Sequence, residues 1–313
     1  MLQTFLVTAG QVVTLFIIAG IGFFLCKAGR FSKQAVSQVS FMQVNVVVPC
    51  VIFNSLRIER DMRLVREMGL SALATVAYYA AAILIASFMY GKQSPDTRAV
   101  LRFGVIYSNV AFIGFPLVEA VLGKEALVFA AVSLAVFTPF QWTHGVLIMG
   151  GRNRLSARAA LLNPGLIALL AGLFFFFTGF GAFDRYAGPI GKAIALVANM
   201  NTPLALAVLG AQMAFSDYKK VLTSKLLYGA SAARLIAFPA AAALLMLPLR
   251  LPPHVYIALV TLSATPAAGL TSGFAERYGR DVSTAAQLVT LSTLLSAFTL
   301  PVLTAAVQVL YRI

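Results

Sequence analysis

The chain has 313 residues, of which 60% are hydrophobic and only 11% charged. Soluble domains carry about 25% charged residues and a single aqueous core stops growing near ~250–300 residues, so the composition excludes a soluble globular protein and points to lipid as the solvent. The formal net charge of +14 does not signal nucleic-acid binding, because the basic residues recur in short clusters between apolar runs and form no single patch.

A helix needs about 20 apolar residues to cross the hydrocarbon. Ten stretches qualify: 4–25, 35–56, 69–90, 101–122, 126–149, 161–180, 190–214, 223–248, 254–278 and 283–310. No basic residue precedes Lys27, so the first predicts a membrane helix and not a cleaved signal peptide. The second pairs Asn45 with Pro49. The fourth holds Ser108, Asn109, Gly114, Pro116 and Glu119, and Gly123-Lys124-Glu125 follows it. The fifth carries Gln141 between Phe140 and Trp142, beside a late Pro139. The seventh pairs Asn201 with Pro203, and the eighth encloses Arg234. The ninth holds Ser263, Thr265, Pro266 and Gly269, and Gly279-Arg280-Asp281 follows it. The tenth carries a late Pro301. Cys26 and Cys50 fall near opposite ends of their helices, which argues against a disulfide. There is no CxxC, HExxH, Walker A loop or GxGxxG, and no nucleophile–base cluster. The sequence therefore predicts no metal, no cofactor and no enzyme chemistry.

Stretches four and nine match in kind. Each has a proline near its middle with glycine close by, and each is followed by glycine, a base and an acid. Stretches two and seven, and five and ten, also pair by their prolines. The pattern predicts two halves, 1–150 and 151–313, and five spans per half inverts the second in the membrane. The expected fold is an all-α membrane protein of ten transmembrane helices in a 5+5 inverted repeat, with broken crossing helices four and nine. Ten spans put both termini on one face. The loops of the other face hold most of the Lys and Arg, so that face is expected to be cytoplasmic. Arg57, Arg60, Arg63 and Arg66 count against this orientation.

Proline removes a backbone donor and clashes with the preceding turn. In lipid such breaks survive only where protein or an aqueous cavity supplies partners. One proline alone reads as an ordinary kink, whereas a matched pair in corresponding spans points to a transporter's binding site. Half-helices starting at Pro116 and Pro266 would present free N–H groups and positive dipole ends, which favour a carboxylate. The expected substrate-binding residues are Ser108, Asn109, Gly114, Pro116, Gln141, Thr265, Pro266 and Gly269. Amides and hydroxyls bind an anion without burying a charge in lipid, and the plainer role of each is hydrogen bonding between helices. Asn45, Asn201, Glu119 and Arg234 are expected in coupling or support. Asn45 and Asn201 read as bridges between helices. Arg234 either neutralises an anion or, by preference, snorkels to the surface or joins a structural pair. Glu119, Glu276, His144 and His254 read as interfacial, with proton coupling the alternative for the two acids.

These residues also resemble the auxin efflux carrier family, which includes bacterial permeases and the plant PIN carriers. The run from Ser108 to Gly123 is similar to the family's fourth span, and Asn45 to Pro49 to its second. Asn163-Pro164, Pro203 to Gly210, Thr265-Pro266, Leu291 to Leu295 and Leu300-Pro301 follow in order along the chain. The resemblance implies a fold like that of bile-acid symporters and NhaA, with a scaffold of spans 1, 2, 6 and 7 and a mobile unit of spans 3–5 and 8–10. It implies an organic-anion site where spans four and nine cross, with Asn109, Gln141, Pro116 and Pro266 at site-forming positions. The long loop of plant PINs is absent, so malate-like or other small carboxylates are better expectations than auxin. The implied function is a secondary transporter of the bacterial inner membrane working by alternating access. The alternative is a sodium-coupled symporter of the bile-acid type. Coupling to H+ or Na+ and a homodimer through the scaffold helices stay open. A membrane receptor, the rival from another class, lacks a soluble signalling domain.

Overall fold

The computed structural model describes residues 2–59, 61–156, 158, 162–180, 183 and 187–311. Among these residues the chain is helical, with one isolated antiparallel bridge between Ser108 and Ala267. The helices in chain order are α1 (Leu2–Lys27), α2 (Lys33–Ser55), α3 (Met62–Ser87), α4 (Pro95–Ile106), α5 (Val110–Leu122), α6 (Lys124–Gly150) and α7 (Pro164–Thr178). They continue with α8 (Gly188–Ala214), α9 (Tyr218–Thr223), α10 (Lys225–Leu249), α11 (Pro253–Ala264), α12 (Leu270–Arg277) and α13 (Val282–Leu310). Seven are long and apolar enough to cross a membrane, and α5, α7 and α11 are shorter apolar helices. The chain is an all-α, multi-pass membrane protein.

Side-chain caps set many of the helix starts. Ser32, Asp61, Ser94, Asn163 and Asp281 each accept a hydrogen bond from a first-turn N–H, which has no partner within its own helix. The Asp61 cap starts α3 at Met62, ahead of the expected 69, so Arg63 and Arg66 ride on its first turns and not in a loop. Likewise the Ser94 cap starts α4 at Pro95, ahead of the expected 101. Arg60 and residue 161, the expected start of the sixth stretch, lie outside the described residues.

Three prolines share one local arrangement. π-helical turns at Gln43–Val47, Val110–Gly114 and Ala233–Ala237 each end two residues before a proline, namely Pro49, Pro116 and Pro239. A proline cannot donate to the carbonyl four residues back, and its ring presses on that carbonyl. One wide turn ahead of it absorbs the mismatch. A fourth π turn, Gln141–Gly145, follows Pro139 within α6.

Close packing joins the helices into one connected bundle, with α1 packed on both α8 and α13. α1 makes its broadest contact with α8. A Cβ on Gly22 would collide with the Ala207 carbonyl, and one on Gly210 with the Ala19 carbonyl, so the two backbones touch. α2 packs on α7 and α8, while α3 packs on α6, and α10 on α11 and α13. Large apolar side chains such as Phe24, Phe88 and Phe298 remain exposed on the outside, as lipid-facing residues are.

Candidate functional site

The two broken stretches meet at their breaks. The first runs as α4, then Tyr107–Asn109, then α5, and the second as α11, then 265–269, then α12. Tyr107 and Thr265 leave their helices in extended conformations. The Asn109 N–H donates to the Pro266 carbonyl at 2.8 Å, and the Ala268 N–H donates to the Tyr107 carbonyl at 3.0 Å. Between them the Ala267 N–H donates to Ser292 Oγ of α13 at 3.2 Å. Backbone groups released by each break are thus satisfied by the other segment, a condition for unwound chain inside lipid.

Neither half-helix starts at the expected proline. The first break lies at Tyr107–Asn109, well ahead of Pro116, and α5 begins at Val110. Pro116 instead opens the regular part of α5 behind its π turn, where a missing N–H is tolerated. Pro266 does lie in the second break, but α12 begins beyond it at Leu270. Pairing between the two segments, which a scan for prolines does not detect, sets where the chain unwinds.

Four helix ends converge here, two positive and two negative. At the start of α5, Asn109 Oδ1 accepts from the Phe112 N–H at 3.3 Å, and the residue is only 4% exposed. Its Nδ2 has no partner. At the ends of α4 and α11 stands Arg234, which is 0% exposed and does not snorkel. Its Nη1 donates to the carbonyls of Val105 at 2.7 Å and Ile106 at 3.1 Å. Its Nη2 donates to the Ser263 carbonyl and, at 3.1 Å, to the Tyr78 hydroxyl. The snorkelling expectation fails because the carbonyls left free at the ends of α4 and α11 are nearer and unpaired.

The remaining expected residues divide. Ser108 is bridged to Ala267, and Thr265 Oγ1 donates to the Leu262 carbonyl at 2.8 Å. A Cβ on Gly114 would lie 2.7 Å from Leu262 Cδ2, so this glycine lets α5 approach α11. A Cβ on Gly269 would lie 2.9 Å from Gln212 Oε1, which brings α8 to the start of α12. Gln141 is buried on the π turn of α6 and its Nε2 has no partner. Its neighbour Phe140 accepts the Tyr107 hydroxyl at 2.8 Å, which ties that turn to the first break. Glu119 lies beyond Pro116 on α5 and is half-buried, away from the paired segments. Asn45 does not bridge helices. Its Nδ2 turns back to the Phe41 carbonyl at 2.8 Å, the ordinary local bond of such a side chain.

The bridging role falls to Gln43, which the sequence reading passed over. Its Nε2 donates to Asn201 Oδ1 at 2.6 Å and to the Asn201 carbonyl at 3.3 Å. Asn201 Nδ2 in turn reaches the Ala111 carbonyl at 3.5 Å, in the first turn of α5. A glutamine alone among Phe41, Met42 and Val44 carries the same signal as Gln141. The two histidines form contacts of their own. His144 Nδ1 lies 3.0 Å from the Tyr107 hydroxyl, and His254 Nε2 lies 2.7 Å from Glu67 Oε2.

The model of the family described as membrane transport protein matches residues 7–304 of this chain. An uncharacterized transporter of Methanothermobacter thermautotrophicus is 23% identical over 303 residues, which covers 95% of this chain and 97% of that protein. With nearly its whole length matched, the chain belongs to the membrane transport protein family, the family of the auxin efflux carriers.

Proposed function

We propose that the chain is an alternating-access carrier of small organic anions, carboxylates foremost, and that the anion binds where α5 begins. One observation carries this reading: the buried Asn109 caps the positive end of α5 with its oxygen while its Nδ2 is left without a protein partner. A buried amide donor without a partner is costly unless a ligand uses it. Gln141 Nε2 is in the same condition on the neighbouring α6. A carboxylate seated there accepts from both amides and lies at the positive end of the α5 dipole. Both donors are neutral, so the site holds no charge of its own when the anion leaves.

In this reading α4 with α5, and α11 with α12, each count as one interrupted span. The chain then has ten spans in two inverted halves, 1–150 and 151–313. Gly123 and Gly279 support the repeat, since each takes a positive φ, 86° and 64°, just before the base and acid that open the next long helix. In this reading α1, α2, α7 and α8 form the scaffold and α3–α6 with α10–α13 the moving unit, and α1 packs on α13 across their boundary. The loop charges favour a plasma-membrane protein with both termini outside. Counterflow of labelled small carboxylates in proteoliposomes tests the function. Saturable exchange that is lost in Asn109→Ala and in Gln141→Leu is expected. Exchange of no carboxylate, or full activity in both variants, contradicts it.

A further inference from the structure

We propose that Arg234 is a resident cation, built into the crossing where a coupling sodium ion would otherwise sit, so that this carrier works without sodium. The inference deepens the carrier reading above and rests on it. The two helices that end at the crossing, α4 and α11, point their C-terminal carbonyls at one another. Each such end carries roughly −0.5 of an elementary charge, so together they amount to roughly one negative charge in a place without water. A cluster of carbonyl oxygens of this kind is the ligand set of a hard monovalent or divalent cation.

Arg234 fills the cluster. Three carbonyl oxygens, those of Val105, Ile106 and Ser263, and the Tyr78 hydroxyl accept from its two terminal nitrogens. A guanidinium has five N–H donors, and these contacts use the four on Nη1 and Nη2, so the charge is committed to the helix ends. Among the described residues no carboxylate pairs with it. The side chain reaches the cluster from the π turn Ala233–Ala237 of α10, the wide turn that accommodates Pro239. The guanidinium cannot lose its proton, so the compensation is permanent and needs no ion from solution.

The test replaces sodium by choline on both sides of the membrane and in purified protein. In the wild type, carboxylate exchange and melting temperature are expected to be the same in either salt. Arg234→Ala exposes the carbonyl cluster and is expected to gain a saturable rise in melting temperature with sodium that choline does not give. Wild-type exchange that requires sodium, or a sodium-specific stabilisation of the wild type, overturns the proposal. So does an alanine variant that melts alike in both salts. If Arg234→Ala yields no folded protein in either salt, the wild-type comparison decides. Absence of carboxylate exchange in every salt sinks the carrier reading instead, and the melting comparison still tests Arg234 by itself.

Discussion

At the scale of single residues, buried polar groups hold the crossing together, and most stand on π turns. Gln43, Gln141 and Arg234 lie within such turns, and Asn109 caps one. A wide turn rotates the side chains that follow it and so aims a polar group inward from an otherwise apolar helix. Gln43→Leu leaves the Asn201 side-chain oxygen without its donor. A loss of about 1–3 kcal/mol is expected, read from a denaturation melt in detergent. Arg234→Met leaves three carbonyls facing one another, and the expected loss is larger, about 3–5 kcal/mol. A melt unchanged by Arg234→Met would show that the guanidinium contacts do not support the fold. The place of Thr265 and Pro266 at the second break was legible, because a polar residue beside proline inside an apolar stretch signals an interrupted helix. The destination of Arg234 was not legible. Its partners are backbone carbonyls, and these become available only after two distant stretches unwind and meet. Asn45 misled for the converse reason, since its partner is four residues away in its own helix.

At the scale of elements, glycine and caps decide which helices touch. Gly22 and Gly210 allow α1 and α8 to pack backbone to backbone. Gly210→Ala is expected to push them apart at a cost of about 1–3 kcal/mol or more. Gly20→Ala, whose Cβ meets nothing within 4 Å, leaves stability unchanged. Equal melts for the two variants would refute this packing. At one end of the molecule Asp281 caps α13, accepting from the Thr284 N–H at 2.9 Å, and takes the Thr97 hydroxyl of α4 at 2.8 Å. Partial burial raises its pKa, but the bonds from Thr284 and Thr97 outweigh this and hold it below the ordinary carboxylate value. A depressed folded pKa contributes stability above the unfolded pKa, near 3.8, and loses it as pH falls through the folded value. Wild-type melting is therefore expected to weaken in the acid range more steeply than that of Asp281→Asn. Matching acid profiles would remove Asp281 from that role. The elements themselves were readable from apolar length, and eight of the ten expected stretches needed only adjusted ends. The fourth and ninth are split, and the position of the first split was missed because it depends on pairing between segments far apart in sequence.

At the scale of the whole molecule, the breaks bring helix ends of both signs to one place, and the two signs have different partners. The negative ends are closed by Arg234, whereas the start of α5 keeps an unpaired amide. In the proposed cycle an anion bound there moves with the unit that carries the crossing, while Gln43 and Asn201 on α2 and α8 touch that unit at Ala111. In the proposed sodium-free cycle, moving one negative charge outward through the membrane field would be worth about 2.3 kcal/mol per 100 mV, enough to drive export. The most direct measurement is equilibrium binding of labelled small carboxylates to purified wild type and Asn109→Asp. The aspartate keeps an oxygen to cap the Phe112 N–H but replaces the amide donor with a like charge. Saturable binding to the wild type, absent from an Asn109→Asp protein that melts at the wild-type temperature, is the predicted result. Equal binding to both, or binding of no carboxylate to either, would contradict it.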